Sequence, residues 1–547
     1  MRYNTCVSFY NDKKMDTQLL RGIRIPNPRF IISELPEKLE KLHNYTKLKS
    51  WIPPMNELFN IEENDSVVFD TGETVCSLDI SGNDCTITLK NSNNCRRSVQ
   101  SYMKITHLLD PINYLRDSTD TSILSDKWNQ GYVETVATYA LGRLRSENIS
   151  PHFNYYYASY SAIAGTYSYN ITDEVESYRM YRWFWDVIES NSATLDVLGD
   201  NVETVEELKR VILIKPDYCL ETKDETSSVI EELASITSAK EACELESLDS
   251  ATVSTASIES VSEDSSNESY DDDDECAVYL TVSNFPVMMI FTEKNRDTMD
   301  DLLEDYTEVG AVVGTSEWEQ RWSAWIFQVI AALCVAQKIF GFIHNDLHTN
   351  NIVWSETEEK YLYYTTNNKQ CFRVPTYGKI FRIIDFGRAI FHINDHLYVS
   401  SDFKKGNDAA TQYNFPPLSS DSDSPIVYPN PSFDLARLSV SLLESLYPIK
   451  PDAKEDGIVL SFEEGRIVQE TKSPLYNLLW SWLIDSEGKN ILWDSDDSEL
   501  FPDFNLYVHI ATHCKNSVPY KQISAEAFKM FSVEHIPAKV VPYSLFF

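Results

Sequence analysis

Apolar residues recur with two different periods along this chain, and the change of period marks its organisation. Alternation with period two runs through Cys85-Thr86-Ile87-Thr88-Leu89 and through Val99-Gln100-Ser101-Tyr102-Met103-Lys104-Ile105, the pattern of strands with one buried face. Between 131 and 147, Val133, Val136, Ala137, Ala140, Leu141 and Leu144 fall on one helical face. Phe285 to Phe291 is an apolar run of strand length. Ser316 and Glu319 match a capping box and predict the start of a long helix carrying Trp318, Trp322, Trp325, Ile326, Val329, Ile330 and Leu333. That helix is apolar nearly all round and belongs in a core. The most apolar stretch, Trp325 to Ile343, contains Gln328, Gln337 and Lys338, which predicts a buried helix and not a membrane span. Strands and one helix come first and helices dominate later, so the expected class is α+β in two lobes.

Composition narrows the possible partners. The chain has 547 residues and a net charge of −37, with 25 Phe, 31 Tyr and 11 Trp. The aromatic content argues for a folded chain, and the acidity argues against non-specific binding to nucleic acid or anionic membrane. The expectation is therefore no nucleic-acid and no membrane partner. Residues 221–275 hold 18 acidic residues, 18 Ser and Thr, two Lys and no Trp or Phe. Such a segment buries too little apolar surface to offset chain entropy and is expected to be a disordered insertion, with its acid-flanked serines open to phosphorylation. The opening MRYNTCVSFYNDKK has too short an apolar stretch for a signal peptide. Ten scattered cysteines without a C-x-x-C pair predict reduced thiols in an intracellular protein. His509 and His513, followed by Cys514, have helical spacing but lack the Glu of a zinc-protease motif.

The chemistry is concentrated in two strings. His344-Asn345-Asp346-Leu347-His348-Thr349-Asn350-Asn351 follows the apolar helix, and Asp385-Phe386-Gly387 follows a strand-like run, Phe381 to Ile384. They resemble the protein-kinase catalytic loop H-R-D-L-x-x-x-N and the metal-binding D-F-G. Phosphoryl transfer needs a hydroxyl placed in line with the γ-phosphate and the phosphate charge neutralised. Asp346 can orient or accept the hydroxyl proton. Asn351 and Asp385 supply hard oxygen ligands suited to Mg²⁺. His344 reads as a structural residue packing the loop.

With GNDAATQYN further on, these strings resemble the serine/threonine kinases of nucleocytoplasmic large DNA viruses. SYMKITHLLDP, GYVETVATYALGRL, FPVMMIFTEKNRDTMDDLL and NPSFDLARLSVSLLESL resemble that family's lysine strand, regulatory helix, hinge and central C-lobe helix. The resemblance spans about residues 70 to 160 and 278 to 515. It implies a bilobal protein-kinase-like fold, with a small β-rich N-lobe holding one regulatory helix and a larger helical C-lobe. The implied boundaries are an extension at 1–69, an N-lobe at 70–292 interrupted by an insertion at about 161–276, and a C-lobe at 293–547. It implies Lys104 as the ATP-anchoring lysine, Glu134 as its helix partner, and hinge backbone near Thr292, Glu293 and Asn295 against adenine. Asp434 matches the aspartate bracing the catalytic loop. The cofactors implied are ATP and Mg²⁺, with Mn²⁺ as an alternative, and the partners are viral or host protein substrates. The implied location is the host cytoplasm or the virion.

Five departures qualify that picture. Around Gly82 only Ile80-Ser81-Gly82-Asn83-Asp84 stands where a glycine-rich loop would cradle phosphate, and Asp84 adds a negative charge. Asn345 replaces the arginine that would receive an activation-loop phosphate, which predicts no strong phosphorylation switch there. His348 replaces the catalytic-loop lysine, and no A-P-E follows D-F-G. The 34 positions from Asn351 to Asp385 predict an enlarged hairpin built on Tyr361–Tyr364 and Cys371–Val374. Two competing readings follow: a small-molecule kinase, or a catalytically inactive scaffold or virion protein. The first 70 residues, with Arg21, Arg24 and Arg29, read equally as a basic arm or a packed extension.

Overall fold

The period-two segments form the antiparallel strands the pattern requires. The computed structural model describes residues 28–33, 44–117, 121–199, 201–216, 219–220, 276–418, 425–463, 466–493, 499–502 and 504–546. The acidic segment 221–275, Arg21 and Arg24 lie outside them. The chain divides into two compact units: unit 1 holds 1–108, 121–162 and 286–547, and unit 2 holds 109–120 and 163–285.

Unit 1 is mixed α/β with a curled sheet. Its strands are β1 (Tyr45–Lys49), β2 (Glu73–Ser81), β3 (Asp84–Asn91), β4 (Arg96–His107), β5 (Tyr156–Asn170) and β7 (Ala277–Glu293), in the order β1-β5-β7-β4-β3-β2. The remaining residues of β5 and β7, 163–170 and 277–285, belong to unit 2, where β6 (Ala193–Leu198) pairs antiparallel with β7. β7 thus begins eight residues before the apolar run that marks it in the sequence. Register aligns Lys104 with Ile290 and Tyr102 with both Thr292 and Asp84. Lys104, Thr292 and the β2–β3 turn at Gly82 therefore lie toward one edge of one sheet face.

Helix α1 (Gln130–Ser146) begins at Asn129, whose side chain accepts from the Gly131 N–H. Val133, Val136, Leu141 and Leu144 are almost fully buried. Residues Phe30–Ile32 pair with Val67–Phe69, and the Tyr139 hydroxyl donates to the carbonyls of Arg29 and Asp70. Residues 28–33 are thus a packed extension and not a free arm.

Helix α2 (Ser316–Phe340) is long and apolar enough to cross a membrane, yet 89% of its most apolar window is buried within the protein. Its N-cap differs from the sequence expectation. Thr315, one residue earlier than Ser316, accepts from the Trp318 N–H. Glu319 instead accepts from the Ser473 hydroxyl and the Leu475 N–H, serving the start of helix α4 (Pro474–Trp482). A carboxylate one turn inside α2 is worth more on the exposed N–H groups of a second helix than on its own cap.

The buried polar residue Gln328 of α2 organises the next sheet. It donates to the Lys379 carbonyl at 3.1 Å and accepts from the Phe381 N–H at 3.0 Å, fixing β11 (Lys379–Ile383) on the helix. β11 pairs antiparallel with β8 (Ile352–Glu356), Ile383 opposite Ile352. Between them β9 (Tyr361–Thr365) and β10 (Cys371–Pro375) form the hairpin expected from the sequence. It is flanked by β12 (Ser532–Val533) and β13 (Tyr543–Ser544). Helices α3 (Phe433–Leu446) and α5 (Asn505–His513) complete the part of unit 1 that bears on the site.

In unit 2, short helices Val175–Arg179 and Arg182–Glu189 precede β6, and Val202–Ile212 follows it. Tyr167 and Tyr114 pack on Phe285 at 5.3 Å each. The eight described cysteines form no disulfide among the described residues.

Candidate active site

The pairing of β8 with β11 brings the two sequence motifs together. Asn351 immediately precedes β8, Asp385 follows β11 by two residues, and the Ile384 N–H donates to the Asn351 carbonyl at 3.0 Å. Residues 34 positions apart in the chain thus become neighbours through one strand pair.

Lys104, on β4, meets two carboxylates at once. Its Nζ lies 2.6 Å from Glu134 on α1 and 2.7 Å from Asp385. Burial by itself lowers an ammonium pKa, but Asp385 and Glu134 outweigh it and hold Lys104 above the ordinary lysine range. Burial pushes Glu134 up to about 7 even though Lys104 pulls it down. For Asp385 burial also raises the pKa, but the Lys104 charge prevails and holds the carboxyl at about 2. One ammonium between two carboxylates leaves net negative charge, an arrangement suited to a divalent cation. Asp385 has φ +64, in the left-handed region uncommon for a residue with a Cβ.

The loop from 344 to 351 is braced from below. Asp434, fully buried in the first turn of α3, accepts the N–H groups of His344, at 3.0 and 3.1 Å, and Asn345 at 3.0 Å. Burial pushes its carboxyl up to about 7 against the pull of those two donors. His344 is also fully buried. Its Nε2 meets the Ile384 carbonyl at 2.8 Å, and its Nδ1 accepts from the Asp346 N–H at 3.3 Å. The ring is thereby the neutral Nε2–H tautomer, with its pKa lowered by burial.

Asn351 uses both amide hydrogens internally, donating to the Asp346 carbonyl at 2.9 Å and to His348 Nε2 at 3.1 Å. Its Oδ1 would be the atom to meet a metal, and Asp385 is the residue after Ile384, whose N–H donates to the Asn351 carbonyl. That pair fits Mg²⁺, which takes one or two protein oxygens and completes its shell with phosphate and water. No group of three or more His, Cys, Asp or Glu able to hold a metal ion occurs among the described residues. His348 accepts from Asn351 and has a pKa lowered by burial. It does not supply the cation of the lysine it replaces.

Asn345 is turned inward. It sits at φ +67, a conformation Asn tolerates better than most residues. Its Nδ2 donates to the Arg388 carbonyl at 2.9 Å, and its Oδ1 accepts from the Tyr413 hydroxyl at 2.6 Å. The segment after Asp385 is fastened in the same manner to the start of α1. The Gln130 N–H donates to Ser401 Oγ, the Ser401 N–H to the Trp128 carbonyl, and Lys404 pairs with Asp126.

The expected nucleotide edge is less open than the sequence suggests. The Thr292 carbonyl accepts from the Ser101 hydroxyl at 2.7 Å, and the Glu293 N–H donates to the Tyr155 carbonyl at 2.9 Å. Asn295 accepts from Arg382 and Ser355 and donates to Asn154, so its side chain supports the chain turn from within. Gly82 has φ +64 in a two-residue turn and space around it, the one position there that requires glycine. Asp84 is not a free repulsive charge: Lys294 pairs with it at 2.7 Å.

Two contacts on Asp346 have no counterpart in the sequence reading. The Tyr507 hydroxyl on α5 donates to Oδ1 at 2.7 Å, and Arg388 Nη1 lies 3.6 Å from Oδ2. Arg388 follows the D-F-G string directly, a position that could have drawn attention to it. Tyr507 lies in NLYVHIATH, which reads only as an amphipathic helix.

A scan against protein-family models finds no match, and a search of curated proteins finds none. Among solved structures, the chain aligns with one described as the ROP18 kinase domain in complex with AMP-PNP and sucrose. That alignment has 10% identity, covers 96% of this chain and 90% of that chain, and has a TM-score of 0.26. A likeness at that score carries no argument about fold or activity.

Proposed function

We propose that the protein is an ATP- and Mg²⁺-dependent kinase that phosphorylates Ser or Thr hydroxyls of proteins. The observation that carries the reading is the meeting of Lys104 with Glu134 and Asp385 beside the Asp346–Asn351 loop. Three charged residues from β4, α1 and the end of β11 have no packing reason to converge, and the desolvation they incur suits a phosphate site. The family resemblance of the strings HNDLHTNN and IIDFGRA points the same way.

In this reading Lys104 neutralises α/β-phosphate oxygens while Glu134 fixes its ammonium. Asn351 and Asp385 would hold Mg²⁺, which supplies charge neutralisation along the phosphates. Asp346 takes the acceptor's hydroxyl proton as its oxygen bonds to the γ-phosphorus, and the bond to the bridging oxygen breaks to release ADP.

The test is transfer of labelled γ-phosphate to mixed protein substrates, in Mg²⁺ or chelator, with Asp346→Asn and Asp385→Asn alongside. Metal-dependent labelling that falls at least 100-fold in both variants is expected, with phosphoserine and phosphothreonine as products. Equal labelling in wild type and variants would overturn the reading. A second reading, a nucleotide-binding scaffold without transfer, is favoured by the single-glycine turn and by the Asp84–Lys294 pair beside it. Thermal stabilisation by ATP without any labelling would select it.

A further inference from the structure

Tyr507 and Asp346 are separated by 161 positions, yet their oxygens lie 2.7 Å apart. The direction of this hydrogen bond is fixed by a third residue. Arg437 Nε donates to the Tyr507 hydroxyl oxygen at 2.9 Å, and a guanidinium accepts nothing. The single hydroxyl hydrogen is therefore free for the Asp346 carboxylate, which can only accept when ionised.

The tyrosine is rigidly mounted. Its ring stacks on Phe504 at 5.2 Å and packs on Phe433 at 5.9 Å, and the Arg437 guanidinium lies 5.2 Å from its centroid. The end of α5 is anchored as well: Asn430 Nδ2 donates to the Ile510 carbonyl at 2.9 Å and the Cys514 carbonyl at 2.7 Å. Asn430 lies just ahead of α3, the helix that carries Asp434 and Arg437. The brace beneath the loop and the donor at its aspartate thus share one scaffold.

The second carboxylate oxygen is differently placed. Oδ2 has Arg388 Nη1 at 3.6 Å, beyond hydrogen-bond reach, and Arg388 is shared with Asp402 at 3.5 Å. One oxygen is pinned and the other has a nearby cation without a direct bond.

We propose that Tyr507 is a positioning residue for Asp346: oriented by Arg437, its hydroxyl holds Oδ1 and turns Oδ2, beside Arg388, toward the acceptor hydroxyl. The inference rests on the kinase reading above. In the transfer step the acceptor's proton passes to Oδ2, its oxygen bonds to the γ-phosphorus, and ADP leaves with the electrons of the broken bond. Tyr507 keeps its own proton throughout. Arg388 then occupies the charge role that the neutral His348 leaves unfilled.

The experiment compares steady-state transfer in wild type, Tyr507→Phe, Asp346→Asn and the double variant, with unfolding midpoints for each. Tyr507→Phe retains the ring and its packing. The expected result is a loss of about tenfold in kcat, with KM for ATP within about twofold and an unfolding midpoint close to wild type. In the Asp346→Asn background the Phe substitution adds no further loss, because the group it positions is gone. An unchanged kcat in Tyr507→Phe overturns the proposal. A raised kcat also overturns it, because the hydroxyl would then be blocking the aspartate. An equal loss in both backgrounds overturns it by placing the effect elsewhere. Wild-type transfer no greater than that of Asp346→Asn would instead overturn the kinase reading, and the inference with it.

Discussion

Two charged clusters of this molecule handle an aspartate in opposite ways. Asp385 is held by a full charge: Lys104 at 2.7 Å, itself shared with the buried Glu134. Asp346 is held chiefly by a neutral donor, Tyr507, with Arg388 at 3.6 Å. The first arrangement ties two partly exposed charges, Lys104 and Asp385, to the buried Glu134 and makes stability depend on their presence. The second orients a carboxylate without neutralising it, which suits the proton uptake proposed for Asp346. The difference predicts that substitutions in the first cluster cost stability as well as rate, whereas substitutions in the second cost rate with little loss of stability.

The largest effect is expected from Lys104→Met. It leaves Glu134 and Asp385 facing one another without a cation, and should destabilise the fold by about 2–3 kcal/mol at neutral pH, less than a wholly buried pair loses because Lys104 and, still more, Asp385 keep solvent contact. Denaturant titration measures it, and acidification toward about pH 4 should restore part of the loss as Asp385, no longer held down by Lys104, takes up a proton. A cost no greater than that of Tyr507→Phe would break the comparison.

Next comes Asp434, which neither cluster contains but on which the Asp346 loop stands. Asp434→Ala strands two buried N–H groups and should cost about 2–3 kcal/mol. Its folded pKa, about 7, lies above the ordinary aspartate value. The stability it contributes by binding a proton is therefore complete below about pH 4 and is lost as pH rises toward about 7. Relative to Asp434→Asn, wild type should lose up to about 1.4 kcal/mol per pH unit across that window. A flat difference between pH 4 and 8 would mean the carboxyl is not desolvated as described.

Smaller effects sharpen the picture. Tyr413→Phe removes the donor to Asn345 and should cost about 1 kcal/mol. Exhaustive dephosphorylation should leave transfer unchanged, because the segment after Asp385 is joined to α1 by Ser401 and Lys404 without a phosphate. Loss of activity after phosphatase treatment would contradict this. Thr315→Ala should cost about 1 kcal/mol through the cap of α2, whereas Ser316→Ala should cost less.

The parts legible in the sequence were those with a local signature. Strands β3 and β4, helices α1 and α2 and the β9–β10 hairpin follow from periodicity. The 344–351 and 385–387 strings follow from spacing, and Lys104, Glu134 and Asp434 from resemblance. Tyr507 and Arg437 left no such trace, because a hydrogen bond across 161 positions imposes no period and both residues look ordinary in amphipathic helices. The cap of α2 was displaced by one residue because Thr315 and Ser316 both offer a hydroxyl and only backbone geometry selects between them. The helices Arg182–Glu189 and Val202–Ile212 are amphipathic and their periodicity was there to be read, whereas Ala193–Leu198 is too short a strand for its period to stand out.

The small sheet around the β9–β10 hairpin has a consequence for the order of events during synthesis. Both outer strands, Ser532–Val533 and Tyr543–Ser544, come from the last stretch of the chain. At ordinary elongation rates the ribosome needs on the order of 10–30 s to make the roughly 170 residues between the hairpin and its final strand. Throughout that interval the nascent hairpin has two unpaired edges, which places this part of the molecule in the period when chaperones and misassociation compete for it.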